Sequence, residues 1–111
     1  MVRLKTEIWV QALLRRAELG GAFPVVVHRG DADAGAVMLC VEAEGGAQTL
    51  YGQVRDAAGE AAWTVLAQAA DRLDAPQIAA RIARDRERDG DLWVIDIQDR
   101  AGRHFLTEPV L

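Results

Sequence analysis

Apolar residues recur every three to four positions between Glu7 and Leu19, the spacing of one face of an α-helix. Ile8, Trp9, Ala12, Leu13 and Ala17 form the stripe, and Val10 and Leu14 widen it. Gln11, Arg15 and Glu18 take the polar side. Thr6 stands where a hydroxyl caps a first turn, Glu7 suits the positive end of the helix dipole, and Gly20-Gly21 provides a stop.

The period then shortens to two. Phe23 to His28 predicts a strand, and its Val25-Val26-Val27 run alternates too little for either face to lie freely in water. Ala34 to Glu42 predicts a second strand, with Val37, Leu39 and Val41 pointing one way and Met38 and Cys40 the other. Apolar residues on both faces call for cover on both sides, from helices on opposite faces or from one helix layer and a partner subunit. After a turn at Glu44-Gly45-Gly46, AQTLYGQV reads as a more exposed strand: Leu50 and Val54 share one face, Thr49, Tyr51 and Gln53 the other. Ala61 to Ala67 fits a fourth strand with Trp63 and Val65 on one side. Trp63, Leu66, Ala67 and Ala70 also match a helical face, but the glycine-bounded hairpins upstream favour the strand.

DAPQIAARIARDRERDG predicts the second helix. Asp74 is its candidate cap, Pro76 suits the first turn, and Gln77 stands three residues on for a capping box. Ile78, Ala79, Ile82 and Ala83 form the expected buried stripe, Arg81, Arg84, Asp85 and Arg88 the wet face, and Gly90 the stop. Leu92 to Gln98 returns as a strand with Trp93, Ile95 and Ile97 on its core face. The order α-β-β-β-β-α-β predicts an α/β or α+β fold. It is a single domain over residues 1–111, with two main helices and a mixed or largely antiparallel sheet of four or five strands.

Composition narrows the chemistry. A chain of 111 residues, half of them apolar, can bury roughly two-thirds of its surface without a staple. Cys40 is the only cysteine, so an intramolecular disulfide and a four-cysteine zinc site are excluded, and its place in VMLCV reads as core packing. Lone free cysteine usage agrees with a reducing, cytoplasmic setting. Glu7 and Gln11 interrupt the first apolar segment, which is therefore no signal peptide, and no run reaches the roughly 18 apolar residues of a membrane span. The net charge of −4 argues against a general nucleic-acid binder. Arg3, Lys5, Arg15 and Arg16 still make a basic patch, whereas Arg81, Arg84, Arg86 and Arg88 alternate with acids as a solvated face does.

Three spans, RLKTEIWVQALLRR, RGDADAGAV and DLWVIDIQDRAGRHFL, together resemble a family of small bacterial proteins, domain of unknown function 1491, known mainly from alphaproteobacteria. The resemblance covers almost the whole chain and implies a small cytoplasmic α/β protein. It implies no activity, cofactor or catalytic residue. Asp56 to Leu73 matches least.

Two polar corners carry the remaining candidates. In RGDADAG, Asp31 and Asp33 can accept hydrogen bonds from nearby amides where Gly30 and Gly35 let the chain turn. Two carboxylates are too few for a metal, and the EF-hand ligands that should follow are missing. The second corner, Asp99-Arg100-Ala101-Gly102-Arg103-His104, reads as a charged hairpin tip or as a site in which arginines grip an anion and His104 exchanges a proton. Were the first and last strands parallel neighbours, both corners would meet on one rim of Arg29, Asp31, Asp33, Asp99, Arg100, Arg103 and His104. Serine is absent, and two histidines cannot supply a three-histidine zinc site.

The reading that fits best is a non-catalytic binding or protein-interaction domain. Arg29, Asp31, Asp33, Arg100, Arg103 and His104 would hold a small anionic ligand or a polar segment of a protein partner, without metal or cofactor. A homodimer is the candidate assembly, and a membrane or nucleic-acid partner is not expected. The alternatives are a small enzyme using His104 with an aspartate such as Asp99, and a nucleic-acid-associated protein using the Arg15-Arg16 patch.

Overall fold

Seven elements occur in the expected order in the computed structural model, which describes residues 4–111: α1 (Thr6–Leu19), β1 (Phe23–His28), β2 (Val37–Glu42), β3 (Gln48–Arg55), β4 (Ala61–Ala69), α2 (Ala75–Arg88) and β5 (Trp93–Gln98). The strands form one sheet in the order β1-β5-β2-β3-β4. β5 lies between β1 and β2, antiparallel to the first and parallel to the second, and the other neighbours are antiparallel. The result is a single α+β domain with a mixed sheet.

A helix covers each face of the central strands. Val10, Leu13 and Ala17 of α1 pack on Val37, Leu39, Val41, Trp93, Ile95 and Ile97. Ile78 of α2 packs on Met38, Cys40, Leu50 and Val94 of the opposite face. The alternation expected for β2 is therefore correct, and two helices provide its cover. β3 is less exposed than its pattern suggests, because β4 flanks it and Leu50, Tyr51 and Gly52 are buried.

Local chemistry departs from expectation at both helix starts. Lys5 occupies the cap position of α1, and Thr6 is already helical. The Thr6 hydroxyl instead donates to the Gly35 carbonyl (2.8 Å), while the Thr6 and Glu7 amides donate to the carbonyls of Asp33 (3.2 Å) and Ala32 (2.9 Å). A distant loop thus satisfies the orphan donors of the first turn. Asp74 does precede α2, but no side-chain bond caps that helix and no capping box forms; the Asp74 carbonyl accepts from the Gln77 amide (3.1 Å). Ala79 and Ala83 are exposed, contrary to the expected stripe, and only Ile78 of α2 is fully buried. The helix leans on β3 and β4, and alanine side chains are too short to reach the strands on its other flank.

RGDADAG is a structural corner. The Asp31 amide donates to the Asp91 carbonyl (3.0 Å), the Trp93 indole to the Asp31 carbonyl (2.8 Å), and the Ala34 amide to the Asp31 carboxylate (2.8 Å). These bonds draw the corner so close to the start of β5 that a Cβ on Gly30 would collide with the Asp91 carbonyl and the Trp93 ring. Gly30→Ala is therefore expected to destabilise the fold by about 1–3 kcal/mol, the usual range for overpacking. Gly90→Ala, whose Cβ would meet open space, should stay within about 0.5 kcal/mol of the parent. Urea unfolding midpoints check the pair.

The end of β5 is closed by a fork. Arg103 donates to Asp99 through Nε (3.0 Å), Nη2 (2.8 Å) and its backbone amide (2.8 Å), and Nη2 also reaches the Gly20 carbonyl (2.8 Å). The Arg103 side-chain and backbone hydrogen bonds hold the buried Asp99 carboxyl down at about 2. Because the folded protein then resists protonation more than the unfolded chain, this contribution is whole above about pH 4 and is lost as pH falls towards 2. Stability of the parent should accordingly fall more steeply than that of Asp99→Asn between about pH 4 and pH 2, with the variant less stable at neutrality. Denaturant titrations at stepped pH measure both.

Candidate functional site

The two polar corners do not meet. Because β5 runs antiparallel to β1, His28 pairs with Val94 and Phe23 with Gln98, so the corners leave opposite ends of the strand pair. Five strand steps of ~3.3 Å put roughly 17 Å between those ends. The parallel arrangement on which a shared rim depended is made by β5 with β2 instead.

The charged groups of the two corners are largely paired, Asp99 with Arg103 inside its own corner and the others with residues outside. Arg29 reaches Glu7 (2.6 Å) and lies 5.1 Å from the centre of the Trp93 ring. Asp33 stands 3.6 Å from Lys5, and Arg100 stands 3.9 Å from Glu44, all of them exposed. His104 accepts the Leu106 amide at Nδ1 (2.9 Å) and meets Tyr51 edge-on, with ring centroids 5.4 Å apart. Burial pushes its pKa below the ordinary imidazole value. Asp99 is held by Arg103, so it does not orient His104 as a proton-transfer pair would require. His28 donates through Nδ1 to the Leu92 carbonyl (2.8 Å). In the basic patch, Arg16 turns inward and donates through Nε to the Phe105 carbonyl (3.0 Å), leaving Arg15 exposed beside it. Arg3 lies outside the described residues.

A carboxylate that periodicity did not flag is Glu108. The indoles of Trp9 and Trp63 stack 5.5 Å apart and donate to its two oxygens at 3.1 and 3.0 Å. Burial pushes its pKa up, but the two indole donors outweigh that and the net shift is downward. Glu108 clamps the C-terminal segment across α1 and β4, with Pro109 and Leu111 bonded to the Trp63 backbone. Its oxygens are already satisfied by the fold.

The open chemistry lies under α2. Since that helix leans on β3 and β4, the β1 half of the same face is left bare. Phe23, Val25 and Val27 are 63, 42 and 54% exposed there. A cavity of about 540 Å³ opens between this half and the helix. Val27, Val94, Ile82 and the near-flank alanines of α2 form its apolar walls, Asp96 and Cys40 sit on its floor, and Arg72 and Arg86 belong to its lining. Asp96 faces Cys40 across the parallel β2–β5 register. Burial raises the Asp96 pKa above the usual carboxylate value; the Cys40 hydrogen bond lowers it, and the nearby Glu42 charge raises it. Burial, with Asp96 beside it, pushes the thiol up to about 12, so Cys40 is a neutral donor and no nucleophile. Periodicity did not flag Asp96 either; its signal is a lone charge between Ile95 and Ile97 in a run that is otherwise apolar from Trp93 to Ile97. Among the described residues no cluster of three or more His, Cys, Asp or Glu side chains is placed to hold a metal ion.

Comparison with known proteins places the chain. It is similar to a crystal structure of a DUF1491 family protein from Caulobacter crescentus CB15, at 44% identity and a TM-score of 0.90, over 98% of this chain and 100% of that one. An NMR structure of a DUF1491 family protein from the same organism is 43% identical, with a TM-score of 0.87 over 100% and 99% of the two chains. The solution structure of a protein from A. tumefaciens is 30% identical, with a TM-score of 0.78 over 96% and 95%. No curated protein matches. Residues 4–107 match the family model described as protein of unknown function (DUF1491), and the chain belongs to that family.

Proposed function

We propose that this chain is a non-catalytic binding domain whose binding surface is the bare β1 half of the α2 face, with the floor that β5 gives it. The supporting observation is the cavity of about 540 Å³ there, which joins apolar walls to a few converging polar groups. Its size lies within the roughly 300–1,000 Å³ usual for small-molecule sites. This surface takes the place of the polar rim that the separated corners fail to make. The enzyme reading loses ground because His104 and Asp99 serve other partners. Self-association by strand addition at β1 is also disfavoured: Pro24 interrupts the edge, and the register shift between Val26 and His28 bends it. The buried free thiol of Cys40 suits a reducing, cytoplasmic setting.

Ala79 lines the cavity from the exposed flank of α2, so Ala79→Trp fills the space without disturbing the Ile78 contact. The parent should bind an apolar fluorescent probe such as anilinonaphthalene sulfonate saturably. The variant should bind it about tenfold more weakly or worse, equivalent to ~1.4 kcal/mol, with its thermal midpoint retained. Equal binding by both proteins, or no saturable binding by the parent, would remove the proposal.

A further inference from the structure

The lining of this cavity carries both kinds of charge. Asp96 forms no ion pair among the described residues, and its cross-strand neighbour on the cavity floor is the neutral thiol of Cys40. Glu42 follows Cys40 by two residues on β2, so it shares that face, and it adds a second negative charge close by. A half-buried carboxylate with only a neutral thiol beside it is poorly compensated. Arg72 and Arg86 also line the cavity, and neither is in an ion pair among the described residues. The neighbouring Arg81 and Arg84 are both drawn to Asp85 instead. The aliphatic surfaces of Val27, Val94 and Ile82 complete the lining.

Resting on the binding reading above, we infer that the cavity takes a small zwitterion with an aliphatic body, of the class of a branched-chain amino acid or its dipeptide. Its ammonium group lies on Asp96, its carboxylate faces Arg72 and Arg86, and its side chain fills the apolar wall. Each charged part of the ligand answers a group that has no ion-pair partner among the described residues, Asp96 half-buried and the two arginines exposed at the cavity's rim. A plain aliphatic amine leaves the arginines unmatched, and a plain aliphatic acid leaves Asp96 unmatched. Charge-assisted bonds of both kinds are stronger than neutral ones and fix the orientation of the bound molecule. An apolar body alone would supply area without that selectivity.

Calorimetry and amide chemical-shift mapping on the full chain test this with four probes: leucine, leucyl-leucine, 3-methylbutylamine and 4-methylpentanoate. Leucine or the dipeptide should bind, with shifts confined to β1, β5 and the near flank of α2, and whichever binds identifies the source. Each single-charge analogue should bind about tenfold more weakly or worse. Asp96→Asn and Arg86→Gln should each weaken the zwitterion by a similar factor while leaving the apolar fluorescent probe bound. The analogue comparison uses the parent protein, so it stands even where Asp96→Asn folds poorly. Binding of an analogue as tight as leucine, or an unchanged affinity in a folded Asp96→Asn, overturns the zwitterion. So does failure of both leucine and its dipeptide while the fluorescent probe still binds, and the cavity then remains a binding site of other specificity. Failure of every ligand, the fluorescent probe included, overturns both readings.

Discussion

The fold depends on β5 being satisfied on all four sides at once. Its two edges pair with β1 and β2, and its two faces lie under α1 and alongside α2. β1 joins the sheet only through β5, so the N-terminal helix–strand unit and the β2-β3-β4 meander are connected by the last strand of the chain. Strands enclosed in this way must be apolar on both faces, and Trp93, Val94, Ile95 and Ile97 are all buried. The Arg29–Gly35 corner reinforces the insertion, since the Trp93 indole and the Asp91 carbonyl bond to Asp31 while the corner's carbonyls cap α1. One loop thereby fixes the helix to the strand that closes the sheet.

Asp96 breaks the rule that governs the rest of β5. A valine there would extend the apolar face and remove the desolvation cost of a carboxyl group, so packing alone gives no reason for the acid. The fold accommodates it because α2 sits towards β3 and β4 and presents mainly short alanines, with Ile82 and Arg86, to this side, leaving solvent access and room above the carboxyl. A local violation of packing inside an otherwise consistent strand is the pattern expected where binding, rather than stability, sets the residue. The Asp99–Arg103 fork shows the contrasting arrangement: a buried carboxylate matched by several donors, which the fold uses for its own closure.

Much of the architecture was legible because periodicity reports which face a residue occupies. The helical reading of α1, the two-faced apolar character of β2 and the extended reading of β4 all follow from spacing and side-chain type. Within the expected α1 stripe, however, Ile8 and Ala12 are exposed, and Val10 is buried with Leu13 and Ala17. Periodicity does not report which strand lies beside which. The identity of the neighbour depends on long-range pairing, and that is where the shared polar rim failed: β5 met β1 head to tail and gave its parallel edge to β2. Residue type also limits what a stripe implies. Ala79 and Ala83 stand at the angle a buried face requires, yet an alanine cannot span the gap that a leucine would fill. The corner at RGDADAG was readable from short-range turn chemistry, whereas the Glu108 clamp was not. Its two indoles come from α1 and β4, and no local pattern links them to a C-terminal carboxylate.

The bare half of the sheet poses a problem of its own, because an apolar edge strand invites pairing with other chains. Pro24 removes a backbone donor from β1, and the irregularity at Val27 displaces the ladder; both weaken the strand as a template. The same irregularity presents the Val27 side chain to the cavity, opposite the alanine flank of α2. Blunting the edge and shaping the pocket are therefore one structural event. A straight, proline-free β1 would offer its backbone to any extended chain, while the bent strand offers side chains to a molecule small enough to fit beneath the helix. On the binding reading proposed above, recognition on this face is consequently a matter of side-chain chemistry, with Asp96 at the centre of it.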